Sequence, residues 1–98
     1  MSSFTFAPTD IPGVQIVDVK AYGDARGYFM ETYKAVDFAA AGIRDTFVQD
    51  NQSGSCRGVL RGLHFQTRHQ QAKLVRAIHG EIFDVAVDLR RGSATYGR

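Results

Sequence analysis

Hydrophobic and polar residues alternate most cleanly over Ile82–Leu89. Phe83, Val85, Val87 and Leu89 fall on one face there, and Ile82, Asp84, Ala86 and Asp88 on the other. A period of two predicts a strand. Its first face reads as core, and its second, with two carboxylates among small apolar groups, suits solvent or a polar pocket inside a barrel. Strand chemistry recurs at Val14, Ile16, Val17 and Val19, bounded by Gly13 and Gly23, and again at Tyr28–Tyr33, Phe47–Asn51, Val59–Gln66 and Ala72–His79. The turn Gly23-Asp24-Ala25-Arg26-Gly27 predicts a hairpin joining the strand at 14–19 to the one at 28–33. Residues 1–13 hold both prolines, Pro8 and Pro12, and predict an extended arm or edge segment. The pattern changes over residues 34–41. Val36, Phe38, Ala39 and Ala41 sit among good helix formers there, with Gly42 placed to end one short helix in a left-handed conformation. Several short strands at close spacing and a single helix predict an all-β sandwich or barrel, without repeats, linkers or low-complexity segments.

Composition narrows the class further. Ninety-eight residues with 44% hydrophobic content suit one domain, able to bury something like ~65% of its unfolded surface without disulfides or metals. Twelve basic and ten acidic side chains give a net charge of +2, and the cations are spread from Lys20 to Arg98, so nucleic acid is not the default partner. The lone cysteine, Cys56, forms neither an internal disulfide nor a cysteine-based zinc site, which points to a reducing cytoplasm. Met1-Ser2-Ser3 does not open a secretion signal, and no stretch approaches the ~20 apolar residues of a membrane span.

Candidate chemistry gathers around one histidine. A metal-binding barrel would show His-x-His on one strand, but the residue two after His64 is Gln66, and Glu81 lies far along the chain, so no metal is expected. His69 and His79 read as loop or strand-end residues. In Val59–Gln66 an Arg, a Gly and a His interrupt an apolar strand, and a bulge at Gly62 would bring Arg61 and His64 to one side. The bland alternative is an exposed Arg61 and a satisfied core His64. Lys73 shares parity with Val75 and Ala77; pairing with Asp84 across neighbouring strands would satisfy both charges. Phe29 and Glu31 share a face, with Arg26 in the turn before them: a phosphate partner, a stacking ring and an acceptor for a base N–H. Gln49 and Asn51 offer paired amides. Glycine-rich phosphate loops are absent, and Cys56 has no histidine arranged beside it in sequence.

Six ordered segments carry a resemblance. They are Arg26-Gly-x-Phe29-x-Glu31, Phe47-Val-Gln-Asp-Asn-x-Ser53, Gly58-Val-Leu-Arg-Gly-Leu-His64-Phe-Gln66, Lys73-Leu-Val-Arg76, Gly80-Glu-Ile-Phe-Asp84-Val-Ala-Val-Asp88-Leu-Arg90 and Ser93-Ala-Thr-Tyr-Gly97. Together, from about Val14 to Gly97, they resemble the dTDP-4-dehydrorhamnose 3,5-epimerase family, dimeric cupins of deoxysugar-nucleotide metabolism. The resemblance implies a cupin-type jelly-roll barrel, here partial, and epimerisation at C3 and C5 of dTDP-4-dehydro-6-deoxyglucose in dTDP-rhamnose biosynthesis. It implies that His64 is the general base, that Lys73 stabilises the enolate oxygen, and that Asp84 joins them as a catalytic candidate. Arg61 and Lys73 would bind the sugar-diphosphate side. Arg26, Phe29, Glu31 and the Gln49, Asp50 and Asn51 segment would hold the nucleotide. A homodimer with exchanged N-terminal strands follows, with no metal or organic cofactor, no nucleic acid and no membrane.

Family members run to roughly twice this length, so the chain reads as one cupin-like domain over 1–98, truncated at the C-terminus. Tyr22, Tyr28, Tyr33 and Tyr96 do not match the family's tyrosine acid, and the chain alone is expected to fall short of full 3,5-epimerisation. Rival readings are a dTDP-sugar 3-epimerase or 3,4-ketoisomerase and a non-catalytic nucleotide-binding cupin. A small open barrel for single strands ranks below these, because aromatics are not interleaved with a basic groove.

Overall fold

The computed structural model describes residues 2–98. Its regular elements run in the order β1 (Phe4–Pro8), β2 (Gln15–Val19), β3 (Ala21–Asp24), β4 (Gly27–Met30) and α1 (Ala35–Ala40). The chain divides into two compact units, one made of the residues up to Arg44 with Glu81–Arg98, the other of Asp45–Gly80.

In the first unit β1 and β2 pair antiparallel, with Phe4 opposite Val19 and Phe6 opposite Val17. Directly opposed residues share a face of the ladder, so two phenylalanines and two valines line one side. The six residues between these strands are tied by Thr9. Its hydroxyl donates to the carbonyls of Val14 at 2.8 Å and Ile11 at 3.1 Å, and the Thr9 N–H also donates to Val14. Pro8 closes the ladder opposite Gln15, an edge position where a missing N–H is tolerated. The prolines thus belong to an edge strand and its loop, as the sequence suggests.

Helix α1 covers the phenylalanine face. Phe38, its one buried residue, is 1% exposed. The Phe38 ring meets Phe4, Phe6 and Tyr33 edge-on at centroid distances of 5.1, 5.0 and 4.7 Å, the geometry the ring quadrupole favours. The helix ends as expected at Gly42. With φ at +94°, Gly42 donates its N–H to Ala39 while Ile43 donates to Phe38, the paired closing bonds of a Schellman turn. Lys34 at the N-terminal boundary supplies no side-chain cap.

Two expectations about pairing are corrected. The turn at 23–27 does make a hairpin, with Asp24 opposite Gly27, but it joins β3 to β4. The segment at 15–19 is instead taken by β1. Lys20 marks the junction, its N–H extending the β1–β2 ladder to Ser3 before the chain enters β3. Secondly, residues 47–51, 59–66, 72–79 and 82–89 carry no assigned strand. Alternation assigns faces, whereas a strand also needs a neighbouring strand to share a ladder, and among the described residues the two ladders are those of β1 with β2 and β3 with β4. Among the described residues the architecture is therefore small antiparallel sheets and one short helix, without a closed barrel.

Burial over 82–89 also runs opposite to expectation. Phe83, on the predicted core face, is 94% exposed, whereas Asp88, on the other, is 4% exposed. Apolar burial in this unit centres on Phe38, and Asp88 is buried by a ring of donors. Its Oδ1 accepts from the N–H and Nε–H of Arg90 at 2.9 and 3.0 Å. Its Oδ2 accepts from Arg90 Nη2 at 3.1 Å and from the Ser93 and Thr95 hydroxyls, both at 2.6 Å. The backbone closes the same turn, with Asp88 N–H on the Arg98 carbonyl and Gly97 N–H on that of Asp88. Arg90 Nη2 reaches on to the Pro12 carbonyl at 2.7 Å, tying this turn to the β1–β2 loop.

Candidate functional site

The unit 45–80 contains His64, Arg61, Lys73, Gln49, Asp50 and Asn51. Five cations, Arg57, Arg61, Arg68, Lys73 and Arg76, stand against two carboxylates, Asp45 and Asp50, so the unit carries a surplus positive charge. Such a surplus favours an anionic ligand, and it exists even though the whole chain is near neutrality.

Arg61 is held by its own loop. A turn bond from Val59 N–H to the Cys56 carbonyl folds the segment back, and Arg61 donates Nε–H to Ser55 Oγ at 2.9 Å and Nη2–H to the Gly54 carbonyl at 3.4 Å. Gly62 follows with φ at +104°, a conformation open chiefly to glycine, and it breaks the alternation between Arg61 and His64. The expected bulge gives way to this left-handed backbone position, since no ladder is assigned there to bulge. A Cβ at Gly62 would lie 3.7 Å from His64 N and Nδ1, ordinary contact, so the backbone is what demands glycine. His64 is exposed, which removes the reading of a satisfied core histidine.

Lys73 donates to Gln71 Oε1 at 2.8 Å, a neutral amide, and within its unit no carboxylate pairs with the ammonium among the described residues. Gln49 Nε2 donates to Asn51 Oδ1 at 3.4 Å, bringing together the two amides that share parity.

The remaining candidates, Arg26, Phe29, Glu31 and Asp84, belong to the other unit. Arg26 sits in the β3–β4 turn, where its N–H and Nη2–H donate to the two oxygens of Asp24, each at 2.8 Å. That guanidinium bond, with the Arg26 N–H behind it, holds the Asp24 carboxyl below the usual carboxylate range. Phe29 on β4 is 75% exposed, a free ring face rather than core. Neither of two shallow grooves in this unit, one between Ile11–Val14 and Ala86–Arg90 and one beside Arg91 and Tyr96, contains a candidate residue. Among the described residues no three His, Cys, Asp or Glu side chains gather as a metal-holding group.

Two features lie outside what strand parity reveals. Parity gives Asp88 only a shared face with Asp84, whereas Asp-x-Arg followed by Ser-x-Thr signals a side chain closing its own turn. Asp24-Ala25-Arg26 repeats the first half of that signature and makes the same turn bond, Arg26 N–H to Asp24 Oδ1. Ser55 is the second. Its only signal is a hydroxyl six residues ahead of an arginine, and distance along the chain does not show that the two meet.

The dTDP-4-dehydrorhamnose 3,5-epimerase family matches residues 8–98. The proteins named dTDP-4-dehydrorhamnose 3,5-epimerase from Methanothermobacter thermautotrophicus and Pseudomonas aeruginosa are each 57% identical to this chain. The first alignment covers 99% of this chain and 52% of the relative, the second 90% and 49%. A protein of the same name from Escherichia coli is 47% identical over 92% of this chain and 50% of its own length. The chain spans about half the length of the curated relatives it matches.

Proposed function

Because the chain belongs to the dTDP-4-dehydrorhamnose 3,5-epimerase family, we propose that it binds a dTDP-4-dehydro-6-deoxy sugar and serves its epimerisation at C3 and C5. The observation that carries this reading is the match over residues 8–98, which includes every candidate residue from Arg26 to Asp84. The charge surplus of the unit 45–80 and the cations Arg61 and Lys73, both bonded to neutral acceptors, support an anionic substrate.

His64 is the base. A C–H bond beside the C4 ketone breaks, its proton goes to the neutral imidazole, and its electron pair moves into the carbon–carbon bond as the carbonyl electrons shift onto O4. The Lys73 ammonium lowers the energy of that enolate oxygen. Returning a proton to the same carbon from the opposite face inverts it. One ketone flanked by C3 and C5 lets one base serve both centres. Arg61 and Lys73 hold the diphosphate; Arg26, Glu31, Gln49, Asp50 and Asn51 hold the nucleoside, with Phe29 against the base; Asp84 completes the catalytic group. The finer fold is a partial cupin-type jelly-roll barrel forming a single domain, in a cytoplasmic homodimer whose N-terminal strands exchange.

Solvent exchange tests the reading, because deuterium enters beside the ketone once a base and an enolate stabiliser are present, before any inversion. In deuterated water the chain is expected to incorporate label at C3 or C5 of the dTDP-4-keto sugar, and His64→Ala to lose incorporation while retaining dTDP binding. Absence of label with both proteins would overturn it.

A further inference from the structure

Three arginines present the same edge of the guanidinium, Nε with Nη2, to an acceptor. Arg26 and Arg90 give it to carboxylates, Asp24 and Asp88, and their charges are cancelled on the spot. Arg61 gives it to a hydroxyl and a peptide carbonyl, Ser55 Oγ and Gly54 O. Neutral acceptors fix the plane of the group and leave its full charge in place. The opposite edge, Nη1 with the second Nη2 hydrogen, then remains as a two-pronged donor of the kind that fits a phosphate bidentately.

We propose that Ser55 is a positioning residue for Arg61, orienting the guanidinium so that its free edge meets the diphosphate of the nucleotide sugar; this rests on the nucleotide-sugar reading above. Ser55 touches no reacting atom and acts through Arg61. A long arginine side chain on an exposed loop samples many rotamers, and each anion-binding event must otherwise freeze them. The Ser55 bond removes part of that freedom before the ligand arrives. The turn at Cys56–Val59 is what brings the two residues, six apart in sequence, within 2.9 Å.

Two measurements on the full chain test the proposal. The Arg61 Nε–H resonance in a nitrogen–proton correlation spectrum reports the pair without ligand, and calorimetry with dTDP reports its use. Ser55→Ala is expected to move the Nε–H signal toward that of a free arginine and to weaken dTDP binding about fivefold, the effect of one charge-assisted hydrogen bond on an exposed loop. Ser55→Thr should restore both. In an Arg61→Ala background, Ser55→Ala should add no further loss. Unchanged dTDP affinity in Ser55→Ala, with Arg61→Ala weakened, overturns the positioning role and leaves the nucleotide reading standing, whatever the Nε–H signal does. If the wild-type chain does not bind dTDP, the nucleotide reading fails and this proposal with it; if it binds dTDP and Arg61→Ala binds as wild type, the proposal alone fails.

Discussion

Thr95 donates its hydroxyl to Asp88 at 2.6 Å, so a carboxylate on the supposed outer face of a strand is satisfied inside a turn. Arg90 is the foremost cause, followed by the Ser93 and Thr95 hydroxyls and the Arg90 N–H, of a carboxyl held far below the ordinary aspartate range. A depressed folded value contributes stability that is complete above about pH 4, where an unfolded aspartate titrates, and is lost as pH falls through the folded value. Urea midpoints of the wild type should therefore drop on acidification below about pH 4. Asp88→Asn should start lower at pH 7 and show a flatter acid limb. Asp24→Asn should leave the profile close to wild type, because the Arg26 side chain is 91% exposed and solvent screens that pair.

The ring cluster on α1 sets a second expectation. Phe38→Ala removes a fully buried large side chain and three edge-on ring contacts, at a cost of about 3–5 kcal/mol. Near-ultraviolet circular dichroism and the urea midpoint should both report the loss. Phe83→Ala, at a 94% exposed position, should shift the midpoint little.

Backbone demand rather than space governs Gly62. Gly62→Ala should destabilise by about 1–3 kcal/mol, read from chemical denaturation, because φ at +104° is foreign to a residue with a Cβ. Deuterium incorporation by Gly62→Ala should fall further than stability alone explains, since the strained residue lies between Arg61 and His64.

Lys73 separates charge from size. If its ammonium stabilises the enolate, Lys73→Met should slow deuterium incorporation at least about 100-fold, and Lys73→Arg should recover part of the rate. An equal loss of dTDP affinity and exchange in both variants would assign Lys73 to binding alone.

What the sequence disclosed divides along the range of the interactions involved. Helix α1 and its Gly42 stop, the turn at 23–27 and the strand at 15–19 depend on neighbours within a few residues, and each was legible. The partner of 15–19 was not, because nothing in Val17 or Val19 says that Phe6 and Phe4 will lie opposite. The faces assigned over 82–89 failed for the same reason, as alternation is silent about which partner, if any, covers a face. Among candidate site residues the types were legible and the local pairings were not. Lys73 meeting Gln71, and Arg61 meeting Ser55, are choices of rotamer and loop closure that period and composition do not encode.

The bond from Arg90 to Pro12 spans 78 residues. Ribosomes add about 5–20 residues per second, so an emerging Pro12 waits roughly 4–16 s for its partner, whereas a hairpin such as β1–β2 closes within about 10 μs. During synthesis the nascent β1–β2 hairpin and α1 therefore have only their own ladder, the Thr9 bonds and the ring cluster until Arg90 is made. The Arg90 bond is thus a contact that the ribosome supplies seconds after the elements it ties have had time to form.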